Sequence, residues 1–163
     1  MRARHLQLRR ATTNDVAAIH RLQERSLLGL GAGHYPPGSL RAMVQAGRLP
    51  PLLLKSGQFQ VAVWGRQIVG CGGWLTDGPA IRVSNSGGGS ALGVAVVRAL
   101  YVEPELARRG IGSRLLAAVE GEALAAGQAQ AVLVATRMAV RFYARLGYRT
   151  LDRLTLALPQ GHT

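Results

Sequence analysis

The sequence contains few cysteine, lysine, acidic or aromatic residues. Its 163 residues include a single cysteine, Cys71, which excludes an internal disulfide and a zinc site built from cysteines. Eight acidic residues oppose 20 basic ones, all of them arginines except Lys55, and the formal charge is +12. An aromatic content of 5% leaves few side chains to stack on nucleic acid bases. No apolar run reaches the ~20 residues that a membrane-spanning helix requires.

The length and the hydrophobic content predict one folded domain over residues 1–163. A chain of this length fits a single domain, and 48% hydrophobic residues argues against a disordered chain. The first ten residues are basic but lack the apolar segment of a secretory signal. Together with the single cysteine, these features favour a cytoplasmic protein with no membrane partner.

The excess of arginine has two explanations, which the sequence leaves open. One is a compositional bias toward arginine and alanine. The other is an anionic partner, because arginine binds phosphate through two parallel hydrogen bonds. The arginines are scattered, and their longest runs are the pairs at 9–10 and 108–109, which is a weak pattern for nucleic acid binding. A phosphorylated small molecule explains the charge equally well, so we do not expect a nucleic acid partner.

Hydrophobic periodicity predicts an α/β protein with a mixed sheet and helices on both faces. The predicted helices cover residues 15–28, 37–46, 110–126 and 138–146. The predicted strands cover residues 5–10, 58–64, 67–75, 94–102, 131–135, 148–150 and 154–158. Glycines at 29, 31 and 33 are expected to end the first helix, and residues 47–57 are expected to form turns. The segment 77–93, rich in glycine and serine, is predicted to be a long loop between two strands.

The segment 108–113 carries the first motif with chemical meaning. It reads Arg-Arg-Gly-Ile-Gly-Ser and lies where a predicted strand gives way to a predicted helix. A helix N-terminus has unpaired N–H groups and a partial positive charge, and glycines there let an anion approach the backbone. The spacing fits neither the phosphate loop that ends in Gly-Lys-Ser/Thr nor the dinucleotide motif GxGxxG. We predict a phosphate-binding helix start; the alternative is that these glycines serve close packing alone.

The segment 135–148, ATRMAVRFYARLGY, carries the second motif. Phe142 and Tyr143 lie on a short predicted helix that ends at Gly147. Because the two aromatic residues point in different directions, one can pack in the core while the other faces a cleft. Taken alone, Tyr143 is better explained as a half-buried core tyrosine with a hydrogen-bonded hydroxyl, which is the usual state of tyrosines.

Together the two segments resemble the GNAT N-acetyltransferase superfamily, and the resemblance covers most of the chain. It implies a mixed, mostly antiparallel sheet of six to seven strands, acyltransferase activity, and acetyl-CoA as the co-substrate with no metal. It implies that a bulged strand holds the pantetheine arm and that the helix start binds the pyrophosphate. The strand residues are Leu100, Tyr101 and Val102, and the helix-start residues are Arg108, Arg109, Gly110, Ile111, Gly112 and Ser113.

The resemblance also implies a mechanism, in which an amine attacks the acetyl carbonyl directly within a ternary complex. Tyr143 would face the thioester sulfur, and a backbone N–H near Val102 would polarise the carbonyl. The loop between the first two helices, with His34 and Tyr35, would line the acceptor site. Residues 94–98 lack the carboxylate or histidine that many members use as a base, so the candidate bases are Glu24, His34, Asp77 and Glu103. Of these, Glu103 lies at the strand end near the cofactor and is the best placed.

The leading functional hypothesis is an N-acetyltransferase that acts on the primary amine of a small molecule or peptide. The alternatives are a catalytically silent CoA-binding sensor or regulatory module, and an enzyme that acetylates the N-terminus of a ribosomal or other protein. The +12 charge favours acceptors with a negative group over polyamines and aminoglycosides. Proteins of this resemblance are often homodimers, so the resemblance allows a homodimer here, for which the sequence itself carries no independent signal.

Overall fold

A five-stranded sheet runs through the residues that the computed structural model describes, which are 5–49, 51–76 and 93–151. Across the sheet its strands are β1 (Leu6–Arg10), β2 (Phe59–Trp64), β3 (Gln67–Leu75), β4 (Gly93–Val102) and β5 (Gln128–Val132). The first four pair antiparallel, and β5 lies parallel to β4. The predicted mixed, mostly antiparallel sheet is confirmed, with five strands in the described part of the chain.

Five helices connect and cover the strands. They are α1 (Val16–Gly31), α2 (Pro37–Ala46), α3 (Pro51–Lys55), α4 (Ile111–Ala125) and α5 (Val140–Arg145). Short 3₁₀ turns lie at Thr13–Asp15, Pro104–Leu106 and Arg137–Ala139. A proline in the first turn suits α2, because the missing N–H would have had no partner inside the helix. None of these helices, in the part of the chain described, is long and apolar enough to cross a membrane.

The structure differs from the predicted elements at four places. Helix α1 continues through Gly29, where the missing side chain lets the helix lie against Pro104; a Cβ there would be 2.8 Å from the Pro104 ring. Residues 47–57 hold α3 rather than turns alone, since the fully buried Leu53 anchors a helix too short to show periodicity. Strand β5 ends at Val132 rather than at 135. Residues 148–150 form no strand, and residues 154–158 lie outside the described residues.

Helices cover both faces of the sheet, as predicted. On one face α1 and α3 pack on the sheet through buried apolar side chains, which are Ile19, Leu22, Leu49, Leu53, Phe59, Val61 and Cys71. On the other face α4 and α5 do the same, through Trp74, Ala95, Val97, Leu116, Val119, Ala123 and Tyr143. Helix α4 lies so close to β3 that a Cβ at Gly70 would be 2.7 Å from Leu115. Because side chains alternate along each strand, they contribute to two separate apolar layers, one on each face of the sheet.

Strand β4 contains a bulge halfway along its length. Cys71 of β3 pairs with Tyr101 and Gly73 pairs with Arg98, so β4 has one residue more than β3 between these pairs. Ala99 takes up the extra length with a φ of +52°, a left-handed conformation that is costly for a residue with a Cβ. The thiol of Cys71 donates a hydrogen bond to the Ala99 carbonyl at 3.3 Å.

Strands β4 and β5 separate after Val96, just before the bulge. The parallel pairing joins Gly93–Val96 of β4 to residues 128–132, and it ends there. The second half of β4 thus has β3 on one side and no strand of the described residues on the other. We call the opening between this half of β4 and the chain after Val132 the β4–β5 gap.

The first helix begins at a partly buried ion pair. Arg9 of β1 donates two hydrogen bonds to the carboxylate of Asp15, at 2.8 and 2.9 Å, and the backbone N–H of Thr12 donates a third at 2.7 Å. The hydrogen bonds from Arg9, with those from Thr12, lower the pKa of Asp15 from 3.8 to about 2. The ionised carboxylate therefore ties the start of α1 to the edge of the sheet.

Replacing this carboxylate should destabilise the fold in a pH-dependent way. Because the folded state holds the lower pKa, the contribution of Asp15 is complete above its unfolded value and disappears as the pH falls through the folded one. Asp15→Asn should cost about 1–2 kcal/mol of unfolding free energy near neutral pH, and the difference from wild type should shrink between about pH 4 and about pH 2. Urea denaturation measures it, with the exposed Glu24→Gln as the control; equal losses in the two variants would refute the assignment.

Substitutions at Ala99 should report on the bulge. Ala99→Gly should keep or raise stability by up to about 1 kcal/mol, because glycine tolerates the positive φ, whereas Ala99→Val should lose about 1–3 kcal/mol. Ala131→Gly is the matched control in regular strand β5, where the same change should cost about 0.5–1 kcal/mol. Denaturation of the three variants gives the comparison. A destabilising Ala99→Gly would mean that the left-handed residue is absent in solution.

Candidate functional site

The start of α4 forms a concave group of backbone amides. Arg108 has a φ of +64° and Gly110, at the N-cap, has a φ of +81°. Left-handed residues on either side of Arg109 turn successive N–H groups toward one side, which is the geometry of an anion-binding nest. Nothing lies within 4 Å of the position a Cβ would take at Gly110, and both arginines are exposed. The sequence predicted this helix start; it gave no sign that Arg108 would be left-handed.

Three elements meet at Gly112, in the first turn of α4. A Cβ there would lie 3.2 Å from the ring of Phe142 and 3.5 Å from Cγ2 of Val102. The absent side chain thus lets α4, α5 and the end of β4 approach one another. Of the predicted cofactor residues, Val102, Gly112 and their neighbours are brought together at one end of the β4–β5 gap.

The free edge of β4 presents hydrogen-bonding groups to this gap. The backbone N–H of Glu103 donates to Val69 of β3 at 2.8 Å. Because N–H groups alternate between the two edges of a strand, the N–H of Val102 points the other way, into the gap. The backbone N–H of Leu100, two residues earlier, points in the same direction. This edge can therefore pair with an extended ligand that carries amide groups.

Tyr143 lies on α5 in a cluster of aromatic rings. Its ring makes edge-to-face contacts with Phe142 at 5.0 Å and with Tyr148 at 5.6 Å between centroids. Burial, with a smaller effect from nearby Tyr101, raises the pKa of Tyr143 well above its ordinary range. The side chain is thus an un-ionised phenol that can donate a hydrogen bond but cannot act as a base. No hydrogen bond engages its hydroxyl within residues 5–49, 51–76 and 93–151.

Tyr101 points to the opposite face of the sheet, toward α1. The Nε2 group of Gln23 donates to its hydroxyl at 3.4 Å and also to the carbonyl of Gly47 after α2. Burial raises the pKa of Tyr101. The side chain therefore fastens β4 to the two N-terminal helices, and the backbone N–H of Tyr101, two residues before that of Glu103, faces β3 rather than the gap. Nothing in the sequence pattern indicated the part played by Gln23.

Glu103 follows β4 and is held by a second ion pair. Arg25 of α1 donates from Nε to both carboxylate oxygens at 3.1 Å and from its terminal nitrogen to one of them at 2.7 Å. The carboxylate side chain is 18% exposed. Both oxygens of the predicted base are thus already oriented by an arginine that sequence analysis did not identify.

The loop between α1 and α2 reaches the chain that follows β5. The hydroxyl of Tyr35 accepts a hydrogen bond from the backbone N–H of Arg137 at 2.8 Å, and the Arg137 guanidinium lies 5.3 Å from the centre of the Tyr35 ring. His34 is exposed beside it. Of the remaining candidate bases, Glu24 is exposed on α1 and Asp77 lies outside the described residues. Among the described residues no three His, Cys, Asp or Glu side chains are grouped so as to hold a metal ion.

Cys71 is fully buried between β4 and α1. Burial raises the pKa of its thiol from 9.0 to about 12, so the thiol is un-ionised at physiological pH. This side chain contacts the bulge from the α1 face of the sheet and does not face the gap.

Known proteins resemble this chain in sequence and in fold. Residues 55–150 match the model of the acetyltransferase (GNAT) domain. The structure is similar to a GCN5-related N-acetyltransferase from Ralstonia eutropha JMP134, with a TM-score of 0.68 and 25% identity over 96% of this chain and 100% of that one. No curated protein matches the sequence.

Two structures of lower sequence identity also share the fold. PaiA N-acetyltransferase from Thermoplasma acidophilum, solved with coenzyme A, has a TM-score of 0.72 and 18% identity over 91% of this chain and 92% of that one. The enzyme AAC(6′)-Iy, solved with the bisubstrate analogue CoA-S-monomethyl-acetylneamine, has a TM-score of 0.62 and 16% identity over 96% and 99%. The match to the domain model spans more than half of the sequence. The chain belongs to the GNAT family of acetyltransferases and is an acyltransferase.

Proposed function

We propose that this protein transfers the acetyl group of acetyl-CoA to a primary amine of a small molecule or peptide, by direct attack in a ternary complex. The observation that carries the proposal is the open edge of β4 between the amide nest at Gly110 and the phenol of Tyr143. The sequence match to the acetyltransferase domain and the coenzyme A bound to PaiA N-acetyltransferase support it.

The residues of the gap fit acetyl-CoA. The nest at Arg108 and Gly110 suits a pyrophosphate, because its amides converge and the space above Gly110 is open. The exposed Arg109 adds a formal charge at the rim, and Ile111 and Ser113 complete the first turn. The free edge at Leu100–Val102 suits the amides of the pantetheine arm. When bound, acetyl-CoA supplies a thioester whose acyl carbon is reactive toward amines.

Two groups of this chain act on the thioester in the proposed mechanism. The N–H of Val102, directed into the gap, donates to the carbonyl oxygen as negative charge develops there. The hydroxyl of Tyr143 donates a hydrogen bond to the departing sulfur, which its raised pKa allows at any physiological pH. Positioning the amine next to the thioester lowers the activation barrier further, since the effective molarity of well-oriented reactants is worth about 7–11 kcal/mol.

Glu103 is the proposed acceptor of the amine proton. It follows Val102 directly, and Arg25 fixes the orientation of its carboxylate while one lone pair stays available on Oε1, which accepts a single hydrogen bond from Arg25. An α-amine has an ordinary pKa of about 7.7–8.0 and a side-chain amine one of about 10.4, so less of the α-amine is protonated at neutral pH. An α-amine acceptor therefore depends less on a base. His34 and Tyr35, on the loop that reaches Arg137, are proposed to line the acceptor side.

The involvement of Glu103 in an ion pair also favours a second candidate function. If the ion pair with Arg25 keeps the Glu103 carboxylate from contacting the acceptor amine, the protein binds CoA without transferring the acetyl group and acts as a sensor or regulatory module. Turnover separates the two candidates, because the sensor binds acetyl-CoA but releases no thiol.

Tyr143→Phe tests the transfer step. It should lower kcat about tenfold to a hundredfold with the Kd of acetyl-CoA unchanged, because only the hydroxyl donor is lost. Free-thiol release against a panel of amines measures turnover, and calorimetry measures binding. Tyr148→Phe is the matched control: its hydroxyl donates to Glu120 at 2.6 Å within the same aromatic cluster, so that variant should lose stability but keep kcat. Equal kcat values in the two variants would refute the role of Tyr143, and binding without turnover in wild type would favour the sensor.

Gly110→Ala tests the amide nest. A Cβ at a φ of +81° costs about 1–2 kcal/mol, which the nest can avoid only by changing conformation, so the Kd of acetyl-CoA should rise about 5- to 30-fold. Gly127→Ala carries the same penalty at a φ of +88° at the other end of α4. That variant should be less stable yet bind acetyl-CoA as wild type does. Similar affinities in both variants would place the pyrophosphate elsewhere.

A further inference from the structure

A closed ring of contacts surrounds the β4–β5 gap at the C-terminal ends of the two strands. On one side, the ion pair between Arg25 and Glu103 joins the end of β4 to α1. From there the chain continues through the last turns of α1 to Tyr35, whose hydroxyl is bonded to Arg137. The chain from Arg137 leads back to β5, and the pairing at Val96 closes the ring.

The ring separates an acceptor side from the nest. Ile111, in the first turn of α4, packs with Val69 on the α4 face of the sheet, whereas Tyr35 belongs to the loop between α1 and α2. A thioester held along β4 would thus be reached by an amine that enters through the ring from the α1 side. The residues that border the ring on that side are in a position to select the acceptor.

Two arginines border the ring on the acceptor side. Arg137 is exposed over the ring of Tyr35. Val97 faces α4, so strand alternation places Arg98 on the α1 face. Ala99 and Tyr101 lie on that face too, because the extra residue of the bulge interrupts the alternation after Arg98. Neither arginine forms a salt bridge with an acidic residue of 5–49, 51–76 or 93–151. The charge on Arg25, by contrast, is offset by Glu103.

We infer that the acceptor carries a carboxylate beside its amine, and that Arg98 and Arg137 bind this carboxylate from the two sides of the gap. Guanidinium groups pair with carboxylates through parallel charge-assisted hydrogen bonds, which fix orientation as well as charge. The two arginines then hold the amine over the thioester. This inference rests on the proposed acetyl transfer and goes beyond it by naming the substrate class.

The test compares L-amino acids with their own C-terminal amides, which differ in the carboxylate alone. Free-thiol release at saturating acetyl-CoA gives kcat/KM for each member of the two series. Wild type should prefer the acid of its best pair by about tenfold to a hundredfold, the size expected of a hydrogen bond to a charged group. The α-amine of an amide is the less basic of the two, so amine ionisation cannot produce a preference for the acid.

Arg98→Gln and Arg137→Gln should each bring this preference close to unity. The loss should arise from a higher KM for the acid, while kcat/KM for the amide stays at the wild-type value, a result that general damage to the fold would not give. Arg66→Gln is the matched control, because it removes one positive charge from the exposed turn between β2 and β3. That variant should keep the preference.

Three results would overturn the inference. Equal turnover of acids and amides by wild type, or a preference for amides or polyamines, would refute it while the proposed acetyl transfer stood. Retention of the acid preference in both arginine variants would do the same. No turnover of any amine, with acetyl-CoA binding intact, would refute the proposed transfer and the inference together.

Discussion

The extra residue in β4 is the constraint on which the site depends. Three residue steps of β4 span the distance that two span in β3, and the strand is distorted at Ala99, three residues after its pairing with β5 ends at Val96. Without that separation the N–H of Val102 would be paired within the sheet and no edge would be free. The Cys71 hydrogen bond to the Ala99 carbonyl and the hydroxyl of Tyr101 hold the bent segment from the α1 side. Buried side chains thus fix a local backbone distortion in place beside the free edge of β4.

The elements that surround this edge are joined by polar contacts between distant parts of the chain. Gln23 reaches Tyr101 and Arg25 reaches Glu103, each across 78 positions, and Tyr35 reaches Arg137 across 102. The apolar layers hold the helices on the sheet, and these few hydrogen bonds set where α1 and its following loop lie relative to the gap. The helices of the N-terminal half therefore border the β4–β5 gap as well as cover the sheet.

Local patterns predicted the elements well and the contacts between them poorly. Both strands of the hairpin β2–β3, helix α2 and the start of α4 follow from periodicity, a proline and two glycines, all of which act within a few residues. Helix α3 was missed because five residues cannot show a helical period. The left-handed Arg108 and Ala99 could not be foreseen, since their conformation is imposed by packing and not by their own side chains. The partner of Glu103 was missed for the same reason, as Arg25 looks like any surface arginine in the sequence.

The position of Cys71 has a consequence for redox chemistry. The proposed reaction releases coenzyme A, a free thiol, whose oxidised forms exchange disulfides with accessible protein thiolates. The sole cysteine of this chain is fully buried, and its pKa of about 12 keeps it protonated. Attack by a thiolate requires ionisation and access, and Cys71 has neither in the folded state. An enzyme built in this way can work in the presence of its own thiol product without forming a mixed disulfide with it, and the hydrogen bond that supports the bulge is protected at the same time.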